Sequence, residues 1–299
     1  MQALKEKAQK HQQMLKEGEG KPAAPDEYNE YGVHLWVLVH GFQGNSQDMK
    51  MIKNNIALMF PEVMFLMSCA NEEHTEGDIA EMGVRLAQEV NTHISQYCPG
   101  NSLGKVSFIA HSLGGLITRA ALPYLSEHSK KMCNFITLSS PHLGYMYNQS
   151  TIIDAGMWFL KTWKKSLCIQ QLRMTDQDAT GNLESCFLYQ LSKEKGLEWF
   201  KNVILVSSYQ DMYAPFDSAR IQISNKKDLE AKKNGNVYIQ MAQNILGDLP
   251  VDVLYRIDVD FRIEETNLDS FIGRTAHIQF LECQNMMKML IHRFKEFFP

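Results

Sequence analysis

No uninterrupted apolar run in this 299-residue chain reaches the ~20 residues that a bilayer-spanning helix requires. The N-terminus, MQALKEKAQKHQQMLKEGEGK, lacks the apolar core of a secretory signal. Proline is sparse, and the six cysteines (Cys69, Cys98, Cys133, Cys168, Cys186, Cys283) are scattered without any C-x-x-C spacing. That scatter argues against a zinc site. With no signal segment it favours free thiols in a reducing compartment, so the cytosol is the expected location. The net charge of −4 gives no electrostatic basis for nucleic-acid binding. What is present is an apolar content of 44%, enough to build a core for one α/β domain with insertions.

Residues 1–30 read as a polar leader and linker, a helix-prone stretch followed by GEGKPAAPDE, expected as either a disordered leader or the tail of something that once preceded the domain. From residue 31 to 299, short apolar runs alternate with longer helical patterns, which implies a mostly parallel sheet with helices on both faces. Strands are expected at Val63–Met67, Phe135–Leu138, Val203–Ser207 and Leu254–Val259. Helices are expected over Gln47–Phe60, after an Asp78/Glu81 capping box, and as a closing helix Ile278–Phe297. About 145–200 lies an insertion too long for a simple crossover. In it Ile152, Gly156, Phe159, Leu160, Trp163 and Leu167 share a helical face, with Lys161, Lys164 and Lys165 largely off it. The expectation is a helical cap or lid packed on the domain. Transient membrane contact on opening is compatible with it.

Chemistry enters at Lys105–Gly115, KVSFIAHSLGG. A short apolar strand runs into small residues flanking Ser112, and the helical run LITRAALPYL follows. Strand, serine turn and helix form the nucleophile elbow of an α/β-hydrolase, written A-x-S-x-G in place of G-x-S-x-G. Upstream, LWVLVHGFQG is a buried-strand pattern ending in a glycine-containing loop. Such a loop supplies one backbone N–H of an oxyanion hole, here Phe42 with Gln43 next in line. The residue after the nucleophile, Leu113, supplies the other.

A serine hydroxyl needs a base, and in this fold the order is Ser, then Asp or Glu, then His. Only His128, His142, His277 and His292 follow Ser112. His128 comes too early, His292 sits among polar neighbours in the last helix, and His142 precedes any candidate acid strand. His277 remains, after the last strand and the loop EETNLDSFIGRTA, at the entrance to the closing helix. The acid belongs just beyond Val203–Ser207, where Asp211 stands. Asp217, further along, reads better as a helix or turn cap.

With these residues placed, the chain resembles the serine esterase family of lipase-like α/β-hydrolase fold. The resemblance runs from Val33 to the end on HGFQGNSQDMK, FIAHSLGGLITR, LSSPHLGYMYNQS, FKNVILVSSYQDMYAPFDSARI and FIGRTAHI. It is similar to the version at the C-terminus of large eukaryotic proteins of poorly understood function. That implies a triad at Ser112, Asp211 and His277, in agreement with the placement above. Ala110 departs from the glycine common at its position, and the short leader departs from the large relatives, as a free-standing or truncated domain would. The expected activity is serine-dependent cleavage of a carboxylic ester, of a lipid or other apolar acyl group, with no metal or organic cofactor needed. A catalytically silent binding module, or an acyltransferase or thioesterase using the same triad, are the alternatives.

Overall fold

Six parallel strands carry the core: β1 (Val33–Val39), β2 (Met64–Met67), β3 (Leu103–His111), β4 (Met132–Leu138), β5 (Asn202–Ser207) and β6 (Leu254–Asp258). They lie in the order β2-β1-β3-β4-β5-β6, the layout of an α/β-hydrolase. The computed structural model describes residues 32–145, 166–224, 226–230, 234–262 and 269–299. The leader 1–30 falls outside them, as do Ile152, Gly156, Phe159, Leu160, Trp163 and the three lysines of the expected cap helix.

Parallel strands buried on both faces read as continuous apolar runs, and β1, VHLWVLV, is one. Leu35, Val37 and Val39 pack on one side with α2 (Ile79–Tyr97) and α3 (Leu113–Ala121). Trp36 and Leu38 pack on the other with α1 (Lys50–Met59) and the C-terminal helix. The described remainder of the insertion is folded onto the first side. There α4 (Leu167–Leu172) and α5 (Phe187–Lys193) bury Cys168, Ile169, Leu172, Leu188 and Leu191 in the same cluster as α2 and α3. All six cysteines are unpaired. Among the described residues no helix is long and apolar enough to cross a membrane.

Two local expectations need correction. Asp78 does cap α2, accepting the Ala80 N–H at 2.7 Å, but Glu81 does not close a capping box. Gln171 braces the helix start instead. Its Oε1 accepts the Ile79 N–H and its Nε2 donates to Asp78, both at 3.0 Å, while Glu81 pairs with Arg85. The closing helix is also not one piece from Ile278 to Phe297. Following α6 (Gly235–Leu246), it divides into α7 (Asp269–Glu282) and α8 (Gln284–Arg293) at Cys283, whose backbone is extended. His277 therefore lies inside α7, not on a loop ahead of it. Ala276 and Phe280, one helical turn apart, are both fully buried, and this anchoring overrides the weak propensity of the glycine-containing stretch before them.

At the N-terminal edge of the sheet a polar ladder crosses four strands. Asn202 Nδ2 donates to Asn134 Oδ1 at 2.9 Å, and the Asn134 side chain and main-chain N–H groups both donate to Ser107 Oγ. Ser107 in turn donates to His34 Nε2 at 2.7 Å. The C-terminal segment locks this row: Phe297 O accepts from Asn134, Pro299 O from His34 Nδ1, and Phe298 stacks on Trp36 at 4.9 Å.

Candidate active site

β3 ends at His111, and α3 begins at Leu113. Ser112 between them turns the chain in a single residue at φ 53°, ψ −125°. A residue with a Cβ is disfavoured there, so the turn persists only because its surroundings fix it. The Ser112 N–H donates to Leu138 O of β4 at 2.9 Å. Bare glycines let the backbone close around it. A Cβ on Gly114 would lie 2.6 Å from both Val39 O and His40 O, and one on Gly41 would lie 2.9 Å from Ser112 Cβ. Ala110 is fully buried and the elbow forms with it in place.

Asp211 stands four residues beyond β5, and its carboxylate takes hydrogen bonds from four donors. Oδ1 accepts the N–H groups of Tyr213 at 2.7 Å and Ala214 at 3.2 Å. Oδ2 accepts the Ser139 hydroxyl and, at 2.6 Å, His277 Nδ1. A carboxylate only accepts, so the imidazole proton sits on Nδ1 and Nε2 is left as the basic nitrogen. The Asp211 side chain has no exposure, and that of His277 is 13% exposed. His111 adds a second tether, its Nε2 donating to the His277 main-chain oxygen at 3.1 Å with the two rings 4.7 Å apart. Burial first, then the electrostatic influence of the adjacent His277 ring, hold His111 far below the ordinary histidine range, so it serves as a neutral donor.

The other candidates are used differently. His142 is fully buried behind the elbow helix against Thr137, and Arg119 of α3 donates to its main-chain oxygen. His128 meets Asn91, and His292 is exposed. Asp217, in the helical turn Phe216–Arg220, accepts from Ser224, as a turn cap does. Gln43, second in line for the oxyanion hole, donates its N–H to Thr75 Oγ1 at 2.9 Å and is thereby removed from that role. Leu113, as the first residue of α3, has an N–H with no acceptor inside the helix.

Ser112, Leu113, Phe42 and His277 open onto one cavity of about 970 Å³, with Tyr145, Ile169, Leu172, Tyr213 and Leu281 also in its walls. Among the described residues no hydrogen bond joins the Ser112 hydroxyl to His277; both line the cavity. Tyr145 and Tyr213 both titrate above the ordinary tyrosine range because they are buried, so both phenols stay protonated. Among the described residues no His, Cys, Asp and Glu cluster is arranged to hold a metal ion.

Ser139 and His111 carry no motif of their own. Topology alone could have indicated Ser139: β4 pairs with β5 through Leu138 and Val206, so the residue just past β4 neighbours the loop just past β5.

Residues 29–226 match the sequence pattern of the family described as Putative serine esterase (DUF676). Putative lipase ROG1 of Saccharomyces cerevisiae is 36% identical over 138 residues, 42% of this chain and 20% of that protein. Putative lipase YDL109C of the same yeast is 37% identical over 123 residues, 37% of this chain and 18% of that protein. The chain thus spans about a fifth of the length of these curated relatives. Among solved structures, the Pyrococcus furiosus esterase Pf2001 superposes with a TM-score of 0.47 at 10% identity, over 90% of this chain and 85% of that one.

Proposed function

The chain belongs to the Putative serine esterase (DUF676) family, and from that premise we propose that it hydrolyses carboxylic esters through Ser112, His277 and Asp211. The observation that carries this reading is the strained Ser112 elbow facing, across one cavity, a histidine whose Nδ1 is tied to a buried carboxylate. In the reaction, Ser112 Oγ attacks the ester carbonyl while its proton passes to His277 Nε2. The oxyanion is received by the N–H groups of Phe42 and Leu113. Collapse breaks the ester C–O bond, and the leaving alkoxide takes the proton from the imidazolium. Water, deprotonated by the same nitrogen, then releases the acid and restores Ser112. Asp211 stays ionised throughout and stabilises the imidazolium.

The cavity walls support a substrate class. Ile169, Leu172 and Leu281 offer apolar surface to an acyl chain, and a cavity of about 970 Å³ exceeds the need of an acetyl group. A lipid-type ester is the proposed substrate. The test is labelling by a fluorophosphonate probe, with mass-spectrometric localisation, beside hydrolysis of p-nitrophenyl esters from acetate to palmitate. Label on Ser112 and a rate rising beyond the two-carbon ester are expected. An unlabelled, inactive folded protein would overturn the reading in favour of a binding module.

A further inference from the structure

Gln43 holds a φ of 51° in the loop that carries Phe42, a left-handed conformation that a residue with a Cβ does not keep unaided. Two residues from outside the loop hydrogen-bond to Gln43 and favour that conformation. Thr75 is 3% exposed, and its hydroxyl accepts the Gln43 N–H at 2.9 Å. Next to it, Glu76 Oε1 accepts from the Gln43 side chain at 2.7 Å. The same dipeptide grips the start of α4. Thr75 O accepts the Cys168 thiol at 3.1 Å, Glu76 O accepts the Leu167 N–H at 2.9 Å, and Glu76 Oε2 accepts the Ser166 hydroxyl at 3.3 Å. Thr75 and Glu76 thus bracket the oxyanion loop on one side and, on the other, the helix that places Ile169 and Leu172 in the cavity wall.

We propose that Thr75 is a positioning residue for the oxyanion hole. Its hydroxyl holds the Phe42–Gln43 peptide, keeps Gln43 left-handed and so keeps the Phe42 N–H aimed where the oxyanion forms. The proposal rests on the serine-esterase reading above. The Gln43–Glu76 contact lies in water and adds little. The Thr75 bond is partly buried, and its loss leaves the Gln43 N–H without that acceptor in a left-handed turn. Because charge appears on the carbonyl oxygen only in the transition state, misaiming one donor lowers kcat and leaves ground-state binding nearly intact.

The test compares wild type with Thr75→Val, Thr75→Ser and the double variant Gln43→Gly/Thr75→Val. The readouts are p-nitrophenyl butyrate kinetics, fluorophosphonate labelling rate and thermal melting. Loss of a whole oxyanion donor costs ~100-fold or more, so a misaimed one in Thr75→Val is expected to lower kcat about tenfold or more, with KM within about twofold. Labelling slows in parallel, and Thr75→Ser restores kcat. The double variant recovers part of the loss, because glycine takes the left-handed conformation without a clamp. Should Thr75→Val not fold, Thr75→Cys, a poorer acceptor of similar volume, replaces it with the same expectation. An unchanged kcat, a loss confined to KM, or a Thr75→Ser variant as slow as Thr75→Val would overturn the proposal. A wild type that neither labels nor hydrolyses would instead overturn the esterase reading itself.

Discussion

The two ends of the one sheet treat polar groups in opposite ways. At the C-terminal edge, Ser112, Gln43 and Ser139 all hold left-handed backbone, with φ of 53°, 51° and 50°. Ser112 and Gln43 line a cavity of about 970 Å³, and Ser139 donates to Asp211, the partner of cavity-lining His277. At the N-terminal edge, His34, Ser107, Asn134 and Asn202 form a closed row in which each polar side chain finds a partner, sealed by Phe297, Phe298 and Pro299. Strain and open polarity gather where a substrate must enter, and satisfied polarity gathers where the sheet must simply stay shut. Substitutions at the two edges should separate accordingly, one set acting on rate and the other on stability.

The widest separation is expected at Ser112. Ser112→Ala removes the attacking oxygen while keeping the same backbone requirement. Esterase activity should fall by a factor of about 10⁶ while the melting temperature stays near that of wild type. Retained hydrolysis would mean that another group is the nucleophile. Asp211→Asn comes next. The amide can donate where the carboxylate only accepts, so it favours the wrong imidazole tautomer, and a fall of about 10⁴ in kcat is expected. A variant within tenfold of wild type would remove Asp211 from the mechanism.

How much of this was legible before folding follows the same divide. Ser112, Asp211 and His277 could be singled out in the sequence because the proposed chemistry fixes a chain order and each follows a recognisable strand or loop. The Phe42 loop was legible from its glycines, whereas the engagement of the Gln43 N–H by Thr75 was not. The helical setting of His277 was not. Its anchors, Ala276 and Phe280, declare themselves only against the far side of the sheet. Neither Thr75, Ser139 nor the ladder carries a local signature. They are ordinary residues whose partners lie 32, 72 and up to 265 positions away. Pattern reading sees the neighbours along the chain, and these roles are set by neighbours in space.

One substitution type made at both edges sharpens the contrast. Ser107→Ala would leave His34 Nε2 and two Asn134 N–H groups facing an alanine in a buried row. A cost of about 3 kcal/mol in unfolding free energy is expected, with kcat near wild type. Ser139→Ala instead takes one donor from Asp211 Oδ2, at a position in direct reach of the cavity machinery. There kcat should fall roughly tenfold to a hundredfold, the range of one hydrogen bond to a charged group. Chemical denaturation and ester kinetics on both variants read the two outcomes. Equal effects on rate would erase the distinction between the edges.

The smallest effect is the pH response of the ladder. Burial, the dominant cause, lowers the His34 pKa from 6.5 to about 4, against the smaller opposing pull of its bond to Pro299 O. Protonation would also turn Nε2 into a donor facing a Ser107 oxygen whose own proton now points at it. The folded state therefore binds this proton more weakly than the unfolded chain. Its contribution to stability is complete above pH 6.5 and is lost as pH falls toward 4. Between pH 7 and 5 the loss attributable to His34 is roughly 2 kcal/mol. Other buried histidines, His111 and His142 among them, are shifted in the same direction. The His34 share is thus the difference between wild type and His34→Gln in urea unfolding at the two pH values. Wild type should lose more than the variant by that amount, while their ester-hydrolysis pH profiles coincide, since the ladder and the Ser112 site lie at opposite ends of the strands. Parallel unfolding curves at both pH values would show that His34 titrates normally and that the row is open to water.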